Sequence, residues 1–146
     1  MKKEVRVGVS IMIFRETVDS VSMDLETELL IGKRKGSHGE GIYSVPGGHL
    51  EYGETFEQCC SRELEEEIGV CFDSYTPIDF SEDFFVDKQY TTLYFKANDV
   101  NPEIEIKNME PDKCEGWEWM KIKDLPKLFC NTNNVIDNLL IGLYMV

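Results

Sequence analysis

The stretch that decides the fold runs from Pro46 to Val70 and reads PGGHLEYGETFEQCCSRELEEEIGV. Its second half carries the marks of a helix from about Thr55 to Ile68. Thr55 with Gln58 three residues on forms a capping box, and Gly69 supplies the stop. Glu63, Glu66 and Glu67 stand at i, i+3 and i+4, so three carboxylates share an arc of about 100°. Like charges at that spacing repel by a few tenths of a kcal/mol per pair, and a divalent cation between them removes some of that cost. Mg²⁺ suits the place, because it prefers oxygen ligands, keeps several waters and bridges one or two carboxylates to phosphates. Phe56, Cys60, Leu64 and Ile68 fall on the adjoining arc and can pack the helix onto a sheet. Ahead of the helix, Gly47 and Gly48 let the backbone approach a ligand closely, which brings a carbonyl within reach of a metal ion. Arg62 is placed to pair with Glu54 across the turn. A charged run of this kind is commonly no more than a solvated helix face. The residues by themselves therefore indicate a helix able to bind a divalent cation, and nothing finer.

On either side, apolar segments with β-branched residues predict strands near 4–14, 27–35, 70–86 and 89–97, and a shorter one near 117–122. The stretch from Gly36 to Gly53 holds six glycines and Pro46 and reads mainly as loop and turn. A second helix is expected over about 132–144, with the run Asn131, Thr132, Asn133, Asn134 as its cap. Strands dominate with helices between and after them, so an α+β or α/β sandwich is expected. No repeat or linker-like tract divides the chain, which reads as one domain over 1–146.

The formal net charge of −13 over 146 residues repels a phosphate backbone and excludes general nucleic-acid binding. Polyanionic nucleotides remain accessible if metal ions lie between the two sets of charges. The five cysteines are an odd number without metal or disulfide spacing, which points to reduced thiols and a cytoplasmic location. No apolar run approaches the roughly 18 residues a membrane span needs. The opening MKKEVRVGVSIMIF reads as a first strand, since Glu4 and Arg6 interrupt it and no small-residue cleavage site follows.

The 46–70 segment resembles the Nudix box of MutT-like hydrolases, G-x5-E-x7-R-E-U-x-E-E-x-G-U, where U is a bulky aliphatic. Gly48, Glu54, Arg62, Glu63, Leu64, Glu66, Glu67, Gly69 and Val70 fill all nine specified positions. LLIGKRKGSHGEGIYSVPGGHLEYGET and NMEPDKCEGWEWM extend the similarity to the nucleotide-triphosphate diphosphatase branch, which includes a human enzyme for thioguanine nucleotides. The likeness runs from about residue 5 to about residue 120 and weakens beyond.

That resemblance implies an α/β/α sandwich with a mixed sheet, the box forming loop, helix and loop. It implies that Glu63, Glu66 and Glu67 hold Mg²⁺ (or Mn²⁺) with the Gly47 carbonyl, and that one of these glutamates activates water. Glu54 is implied as a structural carboxylate for which a base role has also been considered. Glu115 is a candidate further metal carboxylate. Lys33 and Arg34 match phosphate-contacting residues; as strand neighbours they point to opposite faces, and Arg34 is expected to serve the site. Gly48, His49 and Thr92 are implied as substrate-binding, and His38 lies in a loop near the same place. Trp117 and Trp119 read as core.

The activity implied is hydrolysis of a nucleoside triphosphate, including a deoxy, modified or oxidised purine one, to monophosphate and diphosphate by a homodimer. Nucleotide sugars, dinucleotide polyphosphates and capped RNA are alternatives of the same chemistry, and a non-catalytic nucleotide sensor is one of another class.

Overall fold

A computed structural model describes residues 3–36 and 39–144. His38 lies outside the described residues. The strands are β1 (Glu4–Met12), β2 (Phe14–Val18), β3 (Leu25–Arg34), β4 (Tyr43–Ser44), β5 (Gly47–His49), β6 (Tyr75–Phe84), β7 (Lys88–Ala97) and β8 (Cys114–Lys121). The helices are α1 (Phe56–Ile68) and α2 (Thr132–Tyr144), with a short 3₁₀ turn at Ile122–Asp124. One sheet has the order β5-β1-β7-β6, and the other is built on β3, which pairs with β2, β4 and β8. The first sheet is mixed: β1 and β7 run parallel from Glu4 opposite Lys88 to Met12 opposite Lys96, and its other pairs are antiparallel.

The strand expected over 4–14 is two strands. β1 ends at Met12, and the next residue, Ile13, is fully buried and accepts a hydrogen bond from the Leu30 N–H at 3.0 Å. β2 then pairs with β3 in the second sheet. The chain crosses between sheets through this one apolar residue, which no polar or glycine signal announces. The strand expected over 70–86 begins only at Tyr75, because Val70 and Phe72 pack against the core from a loop. The glycine-rich stretch yields the two short strands β4 and β5 within the expected loop.

Alternation along the strands divides the core in two. Val9 and Ile11 of β1 and Leu30 of β3 meet Cys59, Cys60, Leu64 and Ile68 of α1. Met12, Leu29, Ile31 and Tyr94 face the other way and meet Val135 and Ile136 of α2. The two helices thus cover opposite faces, giving the α/β/α sandwich. Burial of a side chain such as Leu64, fully enclosed here, contributes about 2 kcal/mol to holding α1 down. Phe56 covers less than expected: it is 44% exposed, its ring centroid 6.1 Å from that of Phe95. Trp117 and Trp119 pack against the α1-side cluster, as core residues should.

Asparagines at the start of α2 and just before it tie down the preceding loop. Asn133 accepts from the Leu128 N–H at 2.7 Å and donates to the Pro126 carbonyl at 3.0 Å. Asn131 donates to Asp83 of β6 at 3.1 Å. All five cysteines are free thiols. Among the described residues no helix is long and apolar enough to cross a membrane.

Candidate active site

Both ends of α1 are fixed by their own sequence. The Thr55 hydroxyl accepts from the Gln58 N–H at 3.1 Å, and the Gln58 side chain accepts from the Thr55 N–H at 2.9 Å. Gly69 takes the left-handed conformation at φ 77° and donates its N–H to the carbonyls of Leu64 and Glu65, a turn that favours glycine. With the apolar arc buried, Glu63, Glu66 and Glu67 are presented beside β5.

Arg62 joins the loop to the helix. Its guanidinium forks onto Glu54 at 2.6 and 3.0 Å and donates to the His49 carbonyl at 2.9 Å. It also donates to Glu63 at 2.9 Å and reaches Glu66 at 3.4 Å. The Arg62 hydrogen bond holds the Glu54 carboxyl far down its range, at about 2. An acid so firmly ionised and tied suits a structural role and is a poor proton carrier. The pairing expected between Arg62 and Glu54 is present.

Glu63 and Glu67 are pushed the other way. Burial raises Glu63 to about 7 against the pull of Arg62. Burial, then the Glu63 charge, raises Glu67 to about 8, and its Oε2 accepts from the Gly47 N–H at 3.2 Å. Gly48 makes this closeness possible, since a Cβ there would collide with the Glu63 carboxylate. Glu66 is the exposed member of the three, its side chain 51% accessible.

These groups border a cleft of about 640 Å³, within the range of small-ligand sites. Lys33 and Arg34 both reach it. Arg34 lies 4.3 Å over the Phe129 ring, and burial lowers its pKa. Lys33 is turned to Glu115 at 3.4 Å. Thr92 of β7 is buried at 9% exposure on the cleft floor. The His49 ring stacks on Tyr90 at 5.5 Å between centroids, and burial with the charges of Arg6 and Lys88 holds its pKa below the ordinary value.

Glu115 is not brought to the other glutamates: it is exposed and does not border the cleft. The register between β3 and β8 shifts between Gly32 and Arg34, and Cys114 and Trp117 reach the cleft instead. The carboxylate that does join is Glu110, whose charge acts on both Glu63 and Glu67. It lies in an irregular stretch where no periodicity singles it out. Its one sequence signal is membership of NMEPDKCEGWEWM.

Among the described residues no three carboxylate, imidazole or thiol groups close around one point, so a caged structural ion does not fit. A hard divalent cation that completes its shell with water and phosphate oxygens does fit. The donors are all oxygens, and two of them are carboxylates whose ionisation burial opposes.

The family model described as NUDIX domain matches residues 6–139. The chain belongs to the Nudix hydrolase family. The NAD-capped RNA hydrolase NudC of Stutzerimonas stutzeri (strain A1501) is 33% identical over 118 residues, 81% of this chain and 40% of that protein. The 8-oxo-dGTP diphosphatase of Proteus vulgaris is 38% identical over 71 residues, 49% of this chain and 63% of that protein. The chain thus spans less than two thirds of the length of these curated relatives. Among solved structures, the MutT NUDIX hydrolase from Burkholderia pseudomallei superposes with a TM-score of 0.73 at 24% identity, covering 91% of this chain and 95% of that one, which shows the fold. Nudix hydrolases generally use divalent metal ions and act on nucleotide substrates.

Proposed function

We propose that this Nudix hydrolase is a Mg²⁺-dependent nucleoside triphosphate pyrophosphohydrolase, with Mn²⁺ able to replace Mg²⁺. It would convert NTP or dNTP, modified or oxidised purines included, to NMP and diphosphate. The observation that carries this reading is the pair of desolvated carboxylates, Glu63 and Glu67, held against the Gly47–Gly48 turn at the edge of a nucleotide-sized cleft. Glu63, Glu66 and Glu67, with the Gly47 carbonyl, would hold the metal, and Glu110 is a better fourth carboxylate than Glu115. The bound ion would neutralise phosphate charge and make water a stronger nucleophile. Water attacks phosphorus, the bridging P–O bond breaks, and the proton passes to a box glutamate. Glu67, which burial and the Glu63 charge raise to about 8 and which accepts from the Gly47 N–H, is our choice of acceptor. Arg62 positions Glu54 and Glu63, while Arg34, Gly48, His49 and Thr92 meet the substrate.

The 38% identical stretch shared with a diphosphatase of 8-oxo-dGTP supports a triphosphate. The longer alignment with an NAD-capped RNA hydrolase favours a second reading, a dinucleotide pyrophosphate as substrate. A panel of canonical and oxidised triphosphates, nucleotide sugars, dinucleotides and NAD-capped RNA, with Mg²⁺ or EDTA, separates the two. EDTA-sensitive phosphate release from triphosphates that requires added inorganic pyrophosphatase is the expected result. Turnover of dinucleotides alone would overturn it. The resemblance also implies a homodimer, and a monomer mass by light scattering would refute that assembly; the cysteines imply a cytoplasmic location.

A further inference from the structure

The cleft has a basic side on the first sheet. β1 and β7 run parallel with Glu4 opposite Lys88, Arg6 opposite Tyr90 and Gly8 opposite Thr92. Alternate residues of a strand share a face, so Arg6 and Gly8 of β1 line one floor with Lys88, Tyr90 and Thr92 of β7, and all five border the cleft. His49, opposite Gly8 in β5, closes this side with its ring on Tyr90. Arg6 stands two residues from Gly8, roughly 7 Å along the strand from the level of His49.

Most other cations of the cleft also have acidic partners. Arg62 is committed to Glu54, Glu63 and the His49 carbonyl, while Lys33 with Glu115 and Lys113 with Glu110 make longer, partly exposed pairs, each at 3.4 Å. Among the described residues Lys88 makes no ion pair. Arg6 makes its one ion pair among the described residues with Glu4, by two hydrogen bonds of 2.9 and 2.7 Å, with both side chains more than a third exposed, a surface contact that an incoming anion has to displace. In a chain of net charge −13, Lys88 and an Arg6 held only by an exposed carboxylate give this cleft edge two cations that a dianion can engage.

We propose that Arg6 and Lys88 form an anion subsite for the terminal phosphates of a nucleoside triphosphate, with His49 and Tyr90 as its wall. This rests on the triphosphate reading above. A substrate whose α-phosphate meets the carboxylates must carry its β- and γ-phosphates past them. The side holding Arg6 and Lys88 offers a guanidinium fork and an ammonium for those oxygens. When the bridging P–O bond breaks, the electron pair leaves with diphosphate, and its added charge falls on the same two cations.

The test uses the full chain with saturating Mg²⁺. Inorganic pyrophosphate and, separately, a nucleoside monophosphate are titrated by calorimetry into wild type, Arg6→Gln/Lys88→Gln and Glu4→Gln. The double variant should bind pyrophosphate at least tenfold more weakly, with monophosphate affinity within twofold and the melting temperature unchanged. Glu4→Gln, which releases Arg6, should tighten pyrophosphate. Unchanged pyrophosphate affinity in the double variant, equal losses for both ligands, or no pyrophosphate binding by wild type would overturn the subsite. A wild type that turns over no triphosphate, yet loses pyrophosphate binding in the double variant, would refute the triphosphate reading and confirm the subsite.

Discussion

Replacing Glu67 with Gln should make the metal-free protein more stable and the enzyme inactive. Burial lifts the Glu67 carboxyl from 4.5 to about 8 in the fold. For an acid whose folded pKa is raised, the cost of ionisation is absent below the ordinary value. It grows as pH rises from about 4.5 and is complete above about 8. A difference of that size corresponds to at most about 5 kcal/mol. Dielectric relaxation around a site that opens to a cleft reduces it, so about 1–2 kcal/mol is expected at pH 8.5. For a chain of this length that means a melting temperature higher by about 3–6 °C. Gln keeps the acceptor for the Gly47 N–H, so the substitution removes charge and little else. Scanning calorimetry in EDTA should show the two proteins melting together near pH 4.5 and the variant melting higher at pH 8.5. Mg²⁺ at a hundred times its dissociation constant would stabilise wild type by about 2.7 kcal/mol and the variant by less, which inverts their order. Turnover of the best substrate should fall at least a hundredfold. A variant no more stable than wild type at pH 8.5 without metal would refute the claim that Glu67 is a strained carboxylate. An unchanged Mg²⁺ shift with normal turnover would refute its place in the metal site.

Arg62→Ala should lower stability by about 2 kcal/mol, through loss of charged hydrogen bonds to Glu54, Glu63 and the His49 carbonyl. Arg62→Lys should recover less than half, since an ammonium cannot fork onto Glu54; equal denaturation midpoints for the two variants would contradict this. Gly48→Ala should drive the Glu63 carboxylate from its position and cut activity at least tenfold, and unaltered Mg²⁺ dependence with full turnover would show that Glu63 need not lie there. Thr55→Ala removes the helix cap and should cost about 1 kcal/mol without changing KM, which urea titration alongside kinetics will check.

The parts of the structure legible in the sequence are those with local causes. The limits of α1 follow from Thr55, Gln58 and Gly69, and the pairing of Arg62 with Glu54 follows from their places in the turn. The fold class followed from the order of elements together with the box. The switch at Ile13 was not legible, because a buried isoleucine continues the apolar pattern of β1 and only tertiary pairing ends the strand. Val70 and Phe72 misled for a related reason, since burial by a loop looks the same in sequence as burial by a strand. At the site, the three box glutamates were legible and their unequal burial was not. Glu115 was a candidate because it lies just upstream of the tryptophan strand, and the irregular register of β8 defeats that argument; Glu110 was not singled out at all.

The crossing at Ile13 divides labour between the two sheets. The glycine turn, α1 and the Arg6–Lys88 floor belong to the first sheet, whereas Lys33, Arg34 and Trp117 come from the second. The carboxylates and the glycine turn therefore hang on one frame, and Lys33, Arg34 and Trp117, which border the same cleft, hang on the other. Substitution of a half-exposed cleft residue of the second frame, such as Lys33, can reshape that wall without moving the carboxylates, whereas Leu30 and Trp117 also pack in the cluster that holds α1. An inherited reaction and a freely drifting diet are what such an architecture allows, and this chain's similarity to proteins named for an oxidised deoxynucleotide and for NAD-capped RNA accords with it.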